Sequence, residues 1–449
     1  MIELAGKNVY VVGLGLSGIA AAELCSSRGA RVVGVDRKPR AALAEAAQRL
    51  SVPVQTESEA AGALVSADLI VVSPGVGGYA ALAAAEAAGV PVIGELELAA
   101  RLLTAPLCAV GGTNGKSTST ELVAAMLTRA GRQVFCGGNL GTPLARAVGK
   151  DWDALVVEVS SFQLERAPEF RPRVSVLLNI TDDHLDRHGN FASYAHAKGN
   201  AFVNQRADDV AVAPFGDAEV ERQVRRGAAR VLYFGAGGDY ALGDQAVVEA
   251  QTGERFSLAG TQLMARHNQL NAAASIAAAR ALGASAEAVR SALGTYQLLP
   301  HRLAWVRSVQ GVRFYDDSKA TNVGAAVAAI DSLLEPKLVL IVGGKGKDGS
   351  YEPLVQALER RARAVLLIGE AAPVIAAAVK GRVEAELAPS LEVAVERAYR
   401  RAQPGDAVLL APACASFDMF RSYADRGERF VQAVERLAST EERAGGAPP

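Results

Sequence analysis

The sequence predicts an α/β protein of three successive α/β domains, Rossmann-like N- and C-terminal domains flanking a central P-loop ATPase-like domain. Short β-rich apolar runs alternate with helical patterns along the chain, as parallel sheets covered by helices require. Three of these runs end in glycine-rich turns: Gly13-Leu-Gly-Leu-Ser-Gly18, Gly111-Gly-Thr-Asn-Gly-Lys-Ser117 and Gly343-Gly-Lys-Gly-Lys347. The 449 residues, 50% of them apolar, provide material for about three cores at roughly 150 residues per domain. The expected boundaries are 1–95, 96–299 and 300–449.

In the first domain, a strand over 7–12, the turn 13–18, a helix to about Arg28 and a strand over 31–35 make one βαβ unit. The G-x-G-x-x-G spacing with Asp36 about 20 residues on matches the dinucleotide fingerprint, which alone favours NAD(P). A segment of 95 residues, however, has room for barely more than one mononucleotide-binding half, which turns the reading toward another nucleotide. The strand 68–72 ends at Ser73-Pro-Gly75, at a strand's C-terminal end where open α/β sheets bind ligands.

The second domain opens with a strand over 106–110 that leads into the lysine-bearing turn, followed by a helix over 117–129. Backbone N–H groups of 112–116 can wrap polyphosphate oxygens, Lys116 can neutralise the β/γ charge, and the Ser117 hydroxyl can ligate Mg²⁺. Val110 stands where the common G-x4-G-K-S/T form has its first glycine, so the loop belongs to a distinct subclass. Strands over 154–158 and 174–178 end in polar residues, Glu158 on one and Asp182, Asp183 and His184 after the other. Carboxylates at such strand ends, beside a phosphate loop, hold Mg²⁺ or orient it through water. His184 stays open on pattern alone, because Mg²⁺ prefers oxygen. Lys198 reads on pattern alone as a solvated helix lysine. A long helix over 267–282 is expected to close the domain, and 298–301 to form a linker hinge, since Pro300 cannot continue a helix. The five histidines, at 184, 188, 196, 267 and 301, place chemistry in the middle domain and its exit.

The third domain repeats the pattern with strands over 338–342, 364–368 and 407–410. A strand over 311–315 precedes Asp316-Asp-Ser-Lys-Ala-Thr-Asn322, a polar cluster unsuited to a core. A net charge of -1 disfavours a nucleic-acid partner. Cys25, Cys108, Cys136 and Cys414 form no C-x-x-C pair, which argues against zinc or disulfides and fits a reducing cytoplasm. Charge interspersed from residue 1 reads as structure, not as a targeting segment, and no run of about 18 apolar residues predicts a membrane span.

These motifs together resemble the Mur ligase family over essentially the whole chain. The resemblance also draws on Gly138-Asn139, Glu158-Val-Ser-Ser-Phe-Gln-Leu164, His301-Arg302 and Ala413-Cys-Ala-Ser-Phe-Asp418. It implies that the first domain holds the UDP of a UDP-sugar with Leu16, Ser17, Asp36, Arg37, Ser73 and Gly75, and that Asn139 touches the substrate's pyrophosphate. It implies ATP on Gly112, Thr113, Asn114, Gly115, Lys116, Ser117 and Thr118, with Asn271, Arg302, Asp317 and Lys319. Two Mg²⁺ ions would involve Ser117, Glu158, His184 and Lys198, the last as a carbamate, which reverses the solvated reading of that lysine. Lys116, Asn139, His184 and Lys198 would be catalytic. A D-glutamate pocket would map onto Thr321, Lys347, Ser416, Phe417 and Tyr423, where lysine and hydroxyl donors suit a dicarboxylate amino acid. Tyr423 departs from the phenylalanine expected there, and Asp316 also varies. The Asp-Asn-Pro-Arg motif of diaminopimelate- or lysine-adding relatives does not occur.

The implied reaction phosphorylates the carboxylate of UDP-N-acetylmuramoyl-L-alanine with ATP, and the amine of D-glutamate then attacks the acyl phosphate. A cytoplasmic monomer acting on small molecules, with neither nucleic-acid nor membrane partner, is expected. The alternatives are another ATP-dependent amino-acid ligase, such as a different Mur ligase or a folylpolyglutamate synthetase, an NAD-dependent oxidoreductase, or a non-catalytic nucleotide-binding regulator.

Overall fold

In the computed structural model, which describes residues 2–139, 141–346 and 349–445, the strands form three sheets. The first comprises β1 (Asn8–Val12), β2 (Arg31–Asp36), β3 (Val54–Thr56), β4 (Leu69–Val72) and β5 (Val92–Gly94), in the order β3-β2-β1-β4-β5. All its pairings are parallel. The Leu-Ile-Val-Val run of β4 is buried throughout, as a strand covered on both faces must be. Strand order reverses between β1 and β4, so the crevice where such sheets bind ligands opens beyond Val12 and Val72.

The second sheet comprises β6 (Leu107–Gly111), β7 (Val134–Gly138), β8 (Ala154–Glu158), β9 (Val174–Leu177), β10 (Val210–Pro214), β11 (Arg230–Phe234), β12 (Tyr240–Gly243), β13 (Ala246–Glu249) and β14 (Arg255–Ser257). Its order is β14-β13-β12-β11-β10-β9-β6-β8-β7, parallel from β7 to β12 and antiparallel from β12 to β14. The helix that closes this region runs Arg266–Ala281, and a further one, Ala286–Thr295, begins at a Ser285 cap and packs on the helix Lys116–Arg129.

The third sheet holds β15 (Ala304–Val309), β16 (Val312–Asp316), β17 (Leu338–Gly343), β18 (Ala362–Ile368), β19 (Ala385–Leu387) and β20 (Ala407–Leu410), ordered β15-β16-β20-β17-β18-β19. β15 and β16 pair antiparallel, and the other neighbours run parallel. β20 lies between β16 and β17, so the loops after Asp316, Gly343 and Leu410 meet at one sheet end. Apolar clusters cover both faces of this sheet, one around Leu340 and Leu409 and another around Ile341 and Leu410.

The chain divides into two compact units. One contains the residues up to Ile180, Ala192–Met264 and Asn268–Tyr296, and so holds the first two sheets. They are joined by Glu95, whose Oε1 accepts from Ala145 N at 2.6 Å, by a bond of 2.7 Å from Gly94 N to Arg166 O, and by an Arg146–Glu23 ion pair. Glu95 is 1% exposed, and burial pushes its pKa up to about 7 against the pull of the Ala145 N–H. The other unit contains the residues from Gln297 onward together with Thr181–Phe191 and Ala265–His267. The latter segments are tied to the ends of the helix Val323–Ser332, Asp183 by Asn322 at 3.3 Å and His267 Nδ1 by Ser332 Oγ at 2.8 Å. Burial beside Arg302 pushes the His267 pKa down to about 4. Residues 298–303 are not helical, and His301 and Leu303 adopt left-handed backbone with φ of 63° and 48°.

Candidate active site

The turn after β6 is shaped by local backbone and anchored from β9. Gly115 has φ 86° at the start of the helix Lys116–Arg129, and a Cβ there would lie 2.2 Å from Asn271 Oδ1, so glycine alone lets Asn271 rest on the turn. Thr113 N donates to Asn179 O at 3.0 Å and Asn114 N to Asn179 Oδ1 at 2.9 Å, while Asn179 Nδ2 donates back to Asn114 O. Asn179 was not anticipated, although the polar end of its strand was a signal. Lys116 Nζ donates to Gly112 O at 3.1 Å and Thr113 O at 2.8 Å. Ser117 and Thr118 are buried in the first helical turn, whose N–H groups favour an anion.

Lys198 overturns the solvated reading: it is 3% exposed, and its Nζ donates to Gly112 O at 2.7 Å. The ammonium also stands 4.5 Å from the Tyr194 ring centroid, and Tyr194 Oη lies 3.1 Å from Thr113 Oγ1. Both residues project from the helix Phe191–Gly199 at i, i+4 spacing, so one helical turn touches two residues of the phosphate turn. The helix is seated by Gly199, where a Cβ would stand 2.3 Å from Gln223 Oε1, and by Arg226, which donates to His196 O at 2.6 Å. Burial follows from this packing, which the local sequence pattern of the segment does not reveal.

Glu158 ends β8 and pairs with Val110 on one side and Gly138 on the other. Its Oε1 accepts from Asn139 Nδ2 at 2.6 Å, and Asn139 N donates to Glu158 O at 2.8 Å. Oε2 is buried with no hydrogen-bond partner among the described residues, although the residue is only 3% exposed. An isolated buried carboxylate oxygen is costly, and a cation is the partner that would relieve it. Among the described residues there is no group of three or more His, Cys, Asp and Glu that could hold a metal ion.

In the first-sheet crevice Ser73 Oγ donates to Gly13 O at 2.6 Å, and Asp36 accepts from Leu14 N at 2.8 Å and Lys38 N at 3.0 Å. Asp36 therefore braces the glycine turn. Leu16 is 71% exposed at the N-terminus of the helix Leu16–Ser27, beside Ser17, and Arg37 and Gly75 are exposed.

In the second unit, Asp317 Oδ1 accepts from Leu303 N at 3.1 Å, and burial pushes its pKa up to about 7 against the opposing Arg302 charge. His301 Nδ1 lies 2.6 Å from Asp316 Oδ2, which holds the imidazole pKa above its ordinary value. Lys319 Nζ lies 3.8 Å from the Tyr423 ring centroid. Arg426, fully buried, donates to Ser318 O at 2.9 Å and Cys414 O at 3.2 Å, and so binds the 318 loop to the loop carrying Ser416. Arg426 was not anticipated, and nothing local distinguishes it from other helix arginines. Lys345 and Ala415 exchange backbone bonds of 2.8 and 3.1 Å, so Ser416 and Phe417 flank the glycine turn after β17. Ser416 is buried, Thr321 and Tyr423 are half-buried, and Phe417 is 71% exposed. Lys347 lies outside the described residues. Asp183 and His184 belong to this unit, whereas Ser117, Glu158 and Lys198 belong to the first.

A cavity of about 680 Å³ at the opposite ends of β6 and β8 lies away from all of these residues, and its arginines 101, 171 and 173 are paired with Glu97, Glu169, Asp208 and Asp209. It does not compete with the phosphate turn as the reactive centre.

Three family models match in order: the Mur ligase MurD-like N-terminal domain at 7–94, the Mur ligase middle domain at 110–279 and the Mur ligase glutamate ligase domain at 301–414. The UDP-N-acetylmuramoylalanine–D-glutamate ligase of Desulfosudis oleivorans is 44% identical, covering 97% of this chain and 98% of that one. The chain belongs to the Mur ligase family. The ligase of the same name from Myxococcus xanthus is 42% identical, covering 97% of this chain and 100% of that one. Among solved structures, the fold is shared with a pseudomurein peptide ligase type C from Methanothermus fervidus, at TM-score 0.63, 17% identity and coverage of 96% and 100%. It is also shared with the MurF ligase of Thermotoga maritima in complex with ADP, at TM-score 0.61, 20% identity and coverage of 98% and 96%. As a Mur ligase the protein is an ATP-dependent amino-acid ligase.

Proposed function

We propose that this Mur ligase joins D-glutamate to UDP-N-acetylmuramoyl-L-alanine with cleavage of ATP to ADP and phosphate, in cytoplasmic peptidoglycan precursor synthesis. The observation that carries the reading is the phosphate turn beside Glu158, whose Oε2 is unpartnered, in a chain 44% identical to a D-glutamate ligase.

A carboxylate is a poor electrophile, so its oxygen first attacks the γ-phosphorus of ATP and ADP departs. The D-glutamate amine then adds to the carbonyl carbon of the acyl phosphate, loses a proton and expels phosphate, leaving the amide. Backbone N–H groups of Gly112, Gly115 and Lys116 take the polyphosphate oxygens, Thr113 and Asn114 shape the turn around them through their bonds to Asn179, and Lys116 turns from loop carbonyls toward the β/γ oxygens to offset their charge. When bound, Mg²⁺ supplies further neutralisation of phosphoryl charge, and the free oxygen of Glu158 and the Ser117 hydroxyl fit it. We assign a second ion to His184 and a carbamate on Lys198. A carbamate nitrogen keeps one N–H, enough for the present bond to Gly112 O.

Asn139, bonded to Glu158, serves the pyrophosphate of the UDP substrate, whose uridine end takes the first-sheet crevice of Leu16, Ser17, Asp36, Arg37, Ser73 and Gly75. Asn271 in the first unit, and Arg302, Asp317 and Lys319 in the second, serve the nucleotide. Thr321, Lys347, Ser416, Phe417 and Tyr423 serve D-glutamate. The protein acts as a monomer of three domains, 1–95, 96–299 and 300–449. No helix of the described residues is long and apolar enough to cross a membrane. Substrate carrying ¹⁸O in the alanyl carboxylate tests the chemistry: one label should appear in the released phosphate, and unlabelled phosphate would exclude the acyl phosphate.

A further inference from the structure

The motif Asp317-Ser-Lys-Ala-Thr-Asn322 ends in an asparagine that the chemistry above leaves without a part. Asn322 is 7% exposed and caps the helix Val323–Ser332, its Oδ1 accepting from Ala325 N at 2.8 Å. Its Nδ2 donates to Asp183 Oδ2 at 3.3 Å. Asp183, also 7% exposed, accepts the His184 N–H on Oδ1 at 3.0 Å, and its Oδ2 lies 3.7 Å from His184 Nε2. His184 has a left-handed backbone, φ 53°, an uncommon conformation for a residue with a side chain, and the Asp183 carboxylate accepts its N–H. The polar contacts thus run from a helix cap, through a buried carboxylate, to the histidine.

We propose that Asn322 is a positioning residue that fixes Asp183 and, through it, the backbone and ring of His184, so that the placement of His184 follows the loop carrying Thr321. The inference rests on the ligase reading, in which His184 and Thr321 serve the reaction. Capping alone requires only an acceptor, for which aspartate and serine serve as well as asparagine. What the carboxamide adds is the second, donating arm, and a carboxylate as buried as Asp183 needs donors.

Asn322→Asp separates the two tasks, because it keeps the cap acceptor and sets a second carboxylate against Asp183. Asn322→Ser keeps the cap without the arm or the charge, and stands in if the aspartate variant fails to fold. Asp183→Asn combined with Asn322→Asp restores the pair with donor and acceptor exchanged. For each, Tm, kcat, the KM of all three substrates and amide exchange over 181–191 are measured. Asn322→Ser should melt near wild type and Asn322→Asp below it, yet both should lose roughly tenfold or more in kcat, with the KM for ATP within about twofold, and lose protection over 181–191. The exchanged pair should recover much of both. Single variants with wild-type kcat and protection, or an exchanged pair no better than Asn322→Asp alone, would overturn the proposal. Wild type that forms no ADP with its substrates would instead overturn the ligase reading, while the exchange data would still judge Asn322.

Discussion

Replacing Glu158 by glutamine separates folding from function at the phosphate turn. Glutamine keeps an oxygen for Asn139 Nδ2, so the 2.6 Å bond survives, and it puts an NH₂ where Oε2 now has no partner. Leaving that amide unpaired costs about 1–3 kcal/mol, but the variant also sheds a buried charge, so the two changes largely offset in the ligand-free protein. Tm without ligands should therefore move little. Turnover should not be spared, because removing one electrostatic group from a phosphoryl-transfer site costs on the order of 10²–10³ in kcat, or about 3–4 kcal/mol. ADP release is followed by a coupled assay, and melting is recorded with and without ATP and Mg²⁺. Wild-type turnover, or a variant that melts far below wild type without ligands, refutes the assignment of Glu158 to the cation.

Glu95 offers a test by pH. Its folded pKa of about 7 lies above the ordinary carboxyl value of 4.5, so folding favours the neutral form: the contribution is fully present below about 4.5 and is lost as pH rises through about 7. Glu95→Gln keeps the acceptor for Ala145 N, so its unfolding free energy should gain on wild type between pH 5 and 8 by an amount on the order of 3 kcal/mol, read from denaturant unfolding at each pH; parallel curves would contradict the buried neutral carboxyl. Tyr194→Phe removes only the hydroxyl at Thr113, worth about 0.5–1.5 kcal/mol, and should raise the KM for ATP several-fold while a Tyr194→Leu variant does worse. An unchanged KM in both would detach the helix from the phosphate turn. Gly115→Ala places a methyl against Asn271 and costs about 1 kcal/mol in backbone strain alone, so ATP affinity measured by calorimetry should drop at least about tenfold.

What could be read from the chain and what could not follows the range of the interactions. The phosphate turn is legible because Gly115, Lys116 and Ser117 are contiguous and their chemistry is local. β4 is legible because a strand buried on both faces must be apolar throughout. The strands β12–β14 span only three or four residues each, and β7 holds two glycines, so neither stretch carries a periodic signal. The burial of Lys198 is not legible from its own helix, because its ammonium meets Gly112 O from 86 residues away and the helix is seated by Gln223 and Arg226 at Gly199 and His196. Arg426 is recognisable only from carbonyls at Ser318 and Cys414, which no local pattern announces. Asp183 and His184 follow β9 in the chain yet group with the third sheet through Asn322, a pairing across 139 residues.

The reaction proposed for this chain is amide formation between D-glutamate and UDP-N-acetylmuramoyl-L-alanine. The most direct measurement is ADP formation with the UDP substrate in the presence of D-glutamate, L-glutamate or no amino acid, with the product identified by mass. The expected result is turnover that needs both the UDP substrate and D-glutamate, with the amide product in proportion to ADP. ADP release that ignores D-glutamate, or that neither enantiomer stimulates, would contradict it.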